Sequence, residues 1–201
     1  MITVRITKDD FDSGVYAAEG MLRAGKIIVY PTDTVYGIGC DATNEEAVDK
    51  LRKIKGIPKG KQLSVMVGDY STIEYYCETG IWEDIAIKKY LPGPYTFILK
   101  KQRGIPASYT EKLGIRIPDN EFCQRLAQRF GRPIISTSAN PTGKRAATKF
   151  EDIDKKVLEQ VDLAIDGGKT RYATHSTVFD LVDHKLVREN DEINLLDLPE
   201  R

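Results

Sequence analysis

The sequence predicts an α/β fold built on a twisted sheet of mixed parallel and antiparallel strands with flanking helices. Three observations carry this. Helical and strand periodicities alternate through the first two thirds, strand patterns cluster toward the C-terminal end, and no Pro/Gly/Ser-rich linker divides the 201 residues. The chain therefore reads as a single domain over residues 1–201, long enough to bury roughly 70% of its unfolded surface.

The elements follow in order. Residues 10–26, "DFDSGVYAAEGMLRAGK", form an amphipathic helix with Val15, Ala18, Met21 and Leu22 inward and Gly25 near its end. "IIVY" follows as a short buried strand. "TNEEAVDKLRKIK" is a strong helix: Thr43 and Glu46 make a capping-box pair, acids fill the first turn and bases the last. "LSVMV" is a strand, "WEDIAIKKY" a helix running to the turn "LPGP", and "YTFILK" another strand. "KLGIRIP" alternates Leu113, Ile115 and Ile117 against Gly114 and Arg116, so Arg116 faces away from the apolar side. The next helix shows Phe122, Cys123, Leu126, Ala127 and Phe130 on one face, with Asn120 capping it and Gly131 ending it. "PIIS" is a strand leading into the loop "TSANPTGKRAAT". A helix near 150–159, a strand at 161–165 and a hairpin of "STVFDL" with "KLVRE" complete the chain.

Composition excludes several classes. Thirty basic residues balance thirty acidic ones, which argues against indiscriminate coating of nucleic acid but leaves room for a local basic site. The charge is unevenly placed, since "ENDEINLLDLPE" at the C-terminal end is acidic. No apolar run approaches a membrane span, and "MITVRITKDDF" lacks the apolar region of a signal peptide. Cys40, Cys77 and Cys123 form no CxxC pair and read as buried or free thiols of a reducing, cytoplasmic protein.

The densest positive charge is "RKIKGIPKGK" at 52–61, with Arg52, Lys53, Lys55, Lys59 and Lys61 and no acid. Complementing the helix dipole accounts for Lys50, Arg52 and Lys53. Lys55 differs, because it falls inside the apolar stripe of Ala47, Val48, Leu51 and Ile54. A lysine there either snorkels out or meets an anion. The second polar segment, "STSANPTGKRAAT", groups Ser136, Thr137, Ser138, Asn140, Thr142 and Thr148 around Lys144 and Arg145. It suits close approach to a phosphate, although taken by itself such a segment is more commonly a polar turn capping the next helix. Neither it nor "GKT" at 168–170 fits a Walker A loop. His175 and His184 belong to no metal-spaced set, and no nucleophile elbow appears. Chemistry here rests on charge placement and orientation, as phosphoryl or nucleotidyl transfer permits. Mg2+ would be carried mainly by substrate phosphates, those of ATP, with no dedicated protein metal site.

Six segments resemble the YrdC-like threonylcarbamoyl-AMP synthases: "YPTDTVYGIGCDA" (30–42), "KIKGIPKGKQLSVMV" (53–67), "LPGPYTFIL" (91–99), "GIRIPDN" (114–120), "STSANPTGKRAAT" (136–148) and "HSTVFD" (175–180). The resemblance is to the short, single-domain form. It implies an open basic cavity and condensation of L-threonine, bicarbonate and ATP into threonylcarbamoyl-adenylate, with release of pyrophosphate. The product would feed the downstream machinery that makes threonylcarbamoyladenosine in tRNA. Carried over by position, Lys55, Ser138 and Asn140 would be catalytic, and Thr34, Arg116 and Ser176 would bind threonine. Lys55, Lys61, Asn140, Thr148 and Arg188 would bind ATP.

The chain departs from the family at Ile57, where members usually carry Arg in a Lys-x-Arg loop. Losing such a charge-assisted contact costs roughly 1.5–3 kcal/mol, and Lys59 or Lys61 is the candidate replacement. Two alternatives follow: a noncatalytic protein binding tRNA or double-stranded RNA through the basic surface, or a related carbamoyl-adenylate-handling enzyme.

Overall fold

A computed structural model describes residues 1–7 and 10–190. The acidic run from residue 191 onward lies outside them. The strands are β1 (Ile2–Arg5), β2 (Ile28–Tyr30), β3 (Gly37–Gly39), β4 (Val65–Met66), β5 (Tyr95–Lys100) and β6 (Lys112–Arg116). They continue with β7 (Ile134–Ile135), β8 (Thr137–Ser138), β9 (Leu163–Asp166), β10 (Thr177–Asp180) and β11 (Lys185–Arg188). The helices are α1 (Phe11–Arg23), α2 (Glu45–Lys55), α3 (Tyr70–Tyr76), α4 (Ile81–Tyr90), α5 (Glu121–Phe130) and α6 (Lys155–Leu158).

The strands form two mixed ladders rather than one sheet. The first runs β1-β9-β2-β3-β8 and the second β11-β10-β5-β6-β4-β7. Parallel pairs (β1 with β9, β2 with β9, β4 with β6, β5 with β10) are mixed with antiparallel ones in both. A seam joins the ladders: the Ile135 N–H donates to the Cys40 carbonyl at 2.9 Å and the Ala42 N–H to that of Pro133 at 3.0 Å. The chains lie so close there that a Cβ on Gly39 would sit 2.1 Å from the Ile135 carbonyl oxygen. Only glycine fits.

Helices α1 and α5 cover this seam. Val15, Ala18 and Leu22 pack with Phe122, Leu126 and Phe130 over Ile28, Tyr30 and Leu163 of one ladder and Met66 and Ile134 of the other. Each large apolar side chain buried this way contributes about 1.5–3 kcal/mol, so the two sheets share one lid of core. Helices α2 and α4 bury Ala47, Val48, Leu51, Ala86 and Ile87 against the opposite side. All three cysteines are free and buried, and burial pushes their thiols up, Cys77 to about 12. None of the described helices is long and apolar enough to cross a membrane.

Several local expectations shift. The cap of α2 is Asn44, whose side chain accepts from the Ala47 N–H at 3.1 Å. Thr43 instead bonds the Asp41 carboxylate. Either residue satisfies an orphan N–H, and the chain uses the amide. The helix near 150–159 is a 3-10 turn at Phe150–Asp152 followed by the short α6, whose first turn Asp154 caps.

Candidate active site

An open cavity of about 340 Å³ lies where the end of α2, the β2–β3 connection, the β7–β8 segment and the β10–β11 hairpin converge. Two polar segments distant in sequence meet across it. Helix α2 ends in a Schellman motif: Gly56 takes φ 63°, its N–H bonds the Lys53 carbonyl, and the Ile57 N–H bonds that of Arg52. This stop leaves Lys55 on the core side. Its ammonium donates to the carbonyls of Ser138 and Asn140, each at 2.5 Å. In return, the Thr142 hydroxyl caps the Lys55 carbonyl at 2.7 Å. Each segment therefore closes the other. Burial pushes the Lys55 ammonium down to about 8, and the nearby charge of Lys61 adds to this.

Arg116, at the end of β6, is buried and forms the opposite wall. One Nη donates to the Asp33 carboxylate at 2.5 Å and the other to the Thr34 hydroxyl at 3.1 Å. Asp33 is fully buried on its side chain and also accepts the Asp119 N–H at 3.1 Å. Thr34 is held in turn by Thr32, whose hydroxyl accepts the Thr34 N–H. These two contacts use two of the five guanidinium donors.

The β10–β11 hairpin supplies the third wall. Its register sets Arg188 opposite Val178. The Arg188 fork donates to the Ser176 carbonyl (3.0 Å) and hydroxyl (2.9 Å), while Ser176 also shares a hydrogen bond with Thr96. Burial, and to a lesser degree Arg116, push the Arg188 guanidinium down, yet an arginine stays charged. Burial and the charges of Arg188 and Lys55 push the His175 imidazole down as well.

The sequence candidates Lys55, Lys61, Thr34, Arg116, Ser138, Asn140, Ser176 and Arg188 all line this one cavity. Thr148 does not. Its carbonyl accepts from the Thr170 N–H and hydroxyl instead. Asn140 already uses its side-chain amide to close the turn, bonding the Pro141 and Lys144 carbonyls, while its Oδ1 is buried without a partner. Of the two candidate substitutes for a guanidinium at 57, Lys59 is engaged outside the cavity with Glu45 and Asp49, and Lys61 lines it.

Three further contributors emerge only in the folded chain. Asp33 stands in an otherwise apolar and hydroxyl run, "VYPTDTVYG", where a lone acid calls for a buried cation. Arg52 is no mere partner of the helix dipole, because it is buried and bonded to three carbonyls. Thr142 carries no sequence signal beyond that of a polar loop.

The chemistry of the lining is one-sided. Among the described residues, Lys55, Lys61, Arg116 and Arg188 contribute four cations to the lining, hydroxyls come from threonines and serines, and no carboxylate lines it. Such a cavity suits a ligand carrying several negative charges.

The Sua5/YciO/YrdC family model, described as telomere recombination, matches residues 20–190. A Methanocaldococcus jannaschii protein that bears the threonylcarbamoyl-AMP synthase name provisionally is 43% identical over 164 residues, 81% of this chain and 78% of that one. The threonylcarbamoyl-AMP synthase of Pyrococcus abyssi is 32% identical over 170 residues, and the chain spans about half the length of that relative (50%). The solved structure of P. abyssi Sua5 complexed with L-threonine matches with a TM-score of 0.82 at 31% identity, over 90% of this chain and 54% of that one. The E. coli YciO structure matches at 0.79 and 31% identity over 94% of both chains. The chain belongs to the Sua5/YciO/YrdC family.

Proposed function

We propose that this chain is a threonylcarbamoyl-AMP synthase acting on L-threonine, bicarbonate and ATP, its product serving threonylcarbamoyladenosine formation in tRNA. The observation that carries the proposal is the gathering of four cations in one cavity with no carboxylate among the described lining residues, a carboxylate-sized fork on one wall and an ammonium between backbone carbonyls on another. The threonine amine attacks the carbon of bicarbonate and water leaves, giving a carbamate. A carbamate oxygen then attacks the α-phosphorus as the α–β bridging P–O bond breaks, and pyrophosphate departs.

Each residue has a role that charge and geometry support. Arg116 holds the threonine carboxylate with the donors that Asp33 and Thr34 leave over. The Ser176 hydroxyl, fixed by Thr96 and Arg188, faces the amino acid. Lys55, Lys61 and Arg188 stabilise charge that develops on the phosphates, which is where fixed cations in a shielded cavity lower the barrier most. Ser138 and Asn140 bracket the reacting phosphate. Mg2+ would enter on the phosphates of ATP and neutralise part of their charge, alongside Lys55, Lys61 and Arg188.

The test is direct. Purified protein with ATP, Mg2+ and bicarbonate is expected to release pyrophosphate only when L-threonine is added, with a stoichiometric adenylate product. Pyrophosphate release that ignores threonine contradicts the proposal, as does tight, salt-sensitive RNA binding with no release at all.

A further inference from the structure

Lys61 differs from the other cations of the cavity. Lys55, Arg116 and Arg188 each sit on the last residue of a helix or strand. Lys61 sits in the irregular segment between α2 and β4, where no regular element directs it. Something else must aim it. The segment is gathered around one side chain, Arg52, which is only 3% exposed. One Nη of Arg52 donates to the Pro58 carbonyl at 3.0 Å and to the Lys61 carbonyl at 2.6 Å, and the other to that of Ala107 at 3.3 Å. Ala107 also accepts the Leu63 N–H at 3.0 Å, and the Lys61 N–H closes a turn onto Pro58 at 3.0 Å. The Tyr109 ring faces the guanidinium, its centroid 5.6 Å from the guanidinium carbon. The fork thus fixes both ends of the turn that presents Lys61.

Packing alone does not call for a charge at this position. A buried guanidinium is costly unless its donors are filled, and an apolar residue would fill the same face of α2. Two of the three carbonyls it gathers, those of Pro58 and Lys61, belong to the loop itself. We infer that Arg52 is a positioning residue: it locks the 58–61 turn so that the Lys61 ammonium reaches the polyphosphate, deepening the synthase reading on which the inference rests. Arg52 does not touch the nucleotide. A cation displaced by even about 1 Å loses much of its value at such a contact, so the effect of Arg52 is felt only through Lys61.

A double-mutant cycle separates this from general destabilisation. Affinities for a nonhydrolysable ATP analogue and for L-threonine are measured by calorimetry on the full chain and on Arg52→Met, Lys61→Met and the double variant. Each single change is expected to weaken the analogue about 10-fold, corresponding to one charge-assisted contact. The double variant is expected to be no weaker than Lys61→Met alone, with threonine affinity within about twofold throughout. Independent losses that multiply to about 100-fold in the double variant overturn the inference, and so does an Arg52→Met protein with unchanged analogue affinity. If Arg52→Met does not fold, Arg52→Lys serves in the same cycle, since it keeps the charge but cannot span three carbonyls. A wild-type chain that binds no analogue overturns both this inference and the synthase reading; multiplicative losses overturn the inference alone.

Discussion

Arg116→Ala is expected to abolish threonine-dependent pyrophosphate release and to lower stability by about 3–5 kcal/mol, because it strands the buried Asp33 carboxylate. The two side chains are 7% and 0% exposed, so neither water nor salt compensates for the lost partner. The two effects separate in Arg116→Lys. An ammonium can still face Asp33, so urea unfolding should recover most of the stability. It cannot reproduce a planar fork that reaches Asp33, Thr34 and a substrate carboxylate together. The KM for threonine should therefore rise at least about 10-fold, the cost of roughly one good contact, while the KM for ATP stays near the wild-type value. A Lys variant with normal threonine kinetics would show that Arg116 serves the fold alone.

Lys55→Met is expected to weaken ATP far more than threonine and to remove a proton-linked step. In the folded chain burial holds the Lys55 ammonium down to about 8, against an ordinary lysine value of 10.5. Polyphosphate favours the charged form, so ATP binding above about pH 8 should draw in a fraction of a proton at Lys55. Calorimetry at pH 8.5 in buffers of different ionisation enthalpy reads this uptake; it should be absent at pH 7, where the ammonium is already protonated, and absent in Lys55→Met. The direction for stability is opposite to that for binding. Between about pH 8 and 10.5 the unfolded chain holds more protons at this residue than the folded chain. Lys55 therefore adds stability to the ligand-free protein as pH rises through that window, and no slope at pH 7. An uptake unchanged by Lys55→Met would assign the proton elsewhere.

Much of the site is legible in the sequence because local rules act on single residues. Alternation along "KLGIRIP" turns Arg116 away from the apolar side, and helical spacing puts Lys55 on the core face of α2. Asn120 and Gly131 bracket α5 as cap and left-handed stop. What escapes depends on partners far along the chain. β1 is a strand because β9, some 160 residues later, pairs with it, and the two-residue β8 exists by pairing with β3, about 100 residues earlier. Single-segment patterns carry no such information. The joining of the two ladders is equally remote, since it turns on Gly39 allowing close approach at Ile135. Arg52 escapes for a different reason: a base in a last helical turn has a sufficient local explanation, which hides a tertiary one. Ile57 shows the reverse. Its place after Gly56 in the Schellman motif, packed against the core, gives the apolar residue a structural reason that the missing charge obscures.

The central claim is that the end of α2 and the 136–143 segment act on one polyphosphate together. Titrating isotope-labelled protein with a nonhydrolysable ATP analogue and following backbone amide shifts tests it most directly. Amides of Lys55–Ile57, Lys61–Ser64 and Ser138–Gly143 should move along one binding curve with a single Kd. Shifts confined to one of these segments, or lying instead on the exposed faces of α1 and α5, would contradict it.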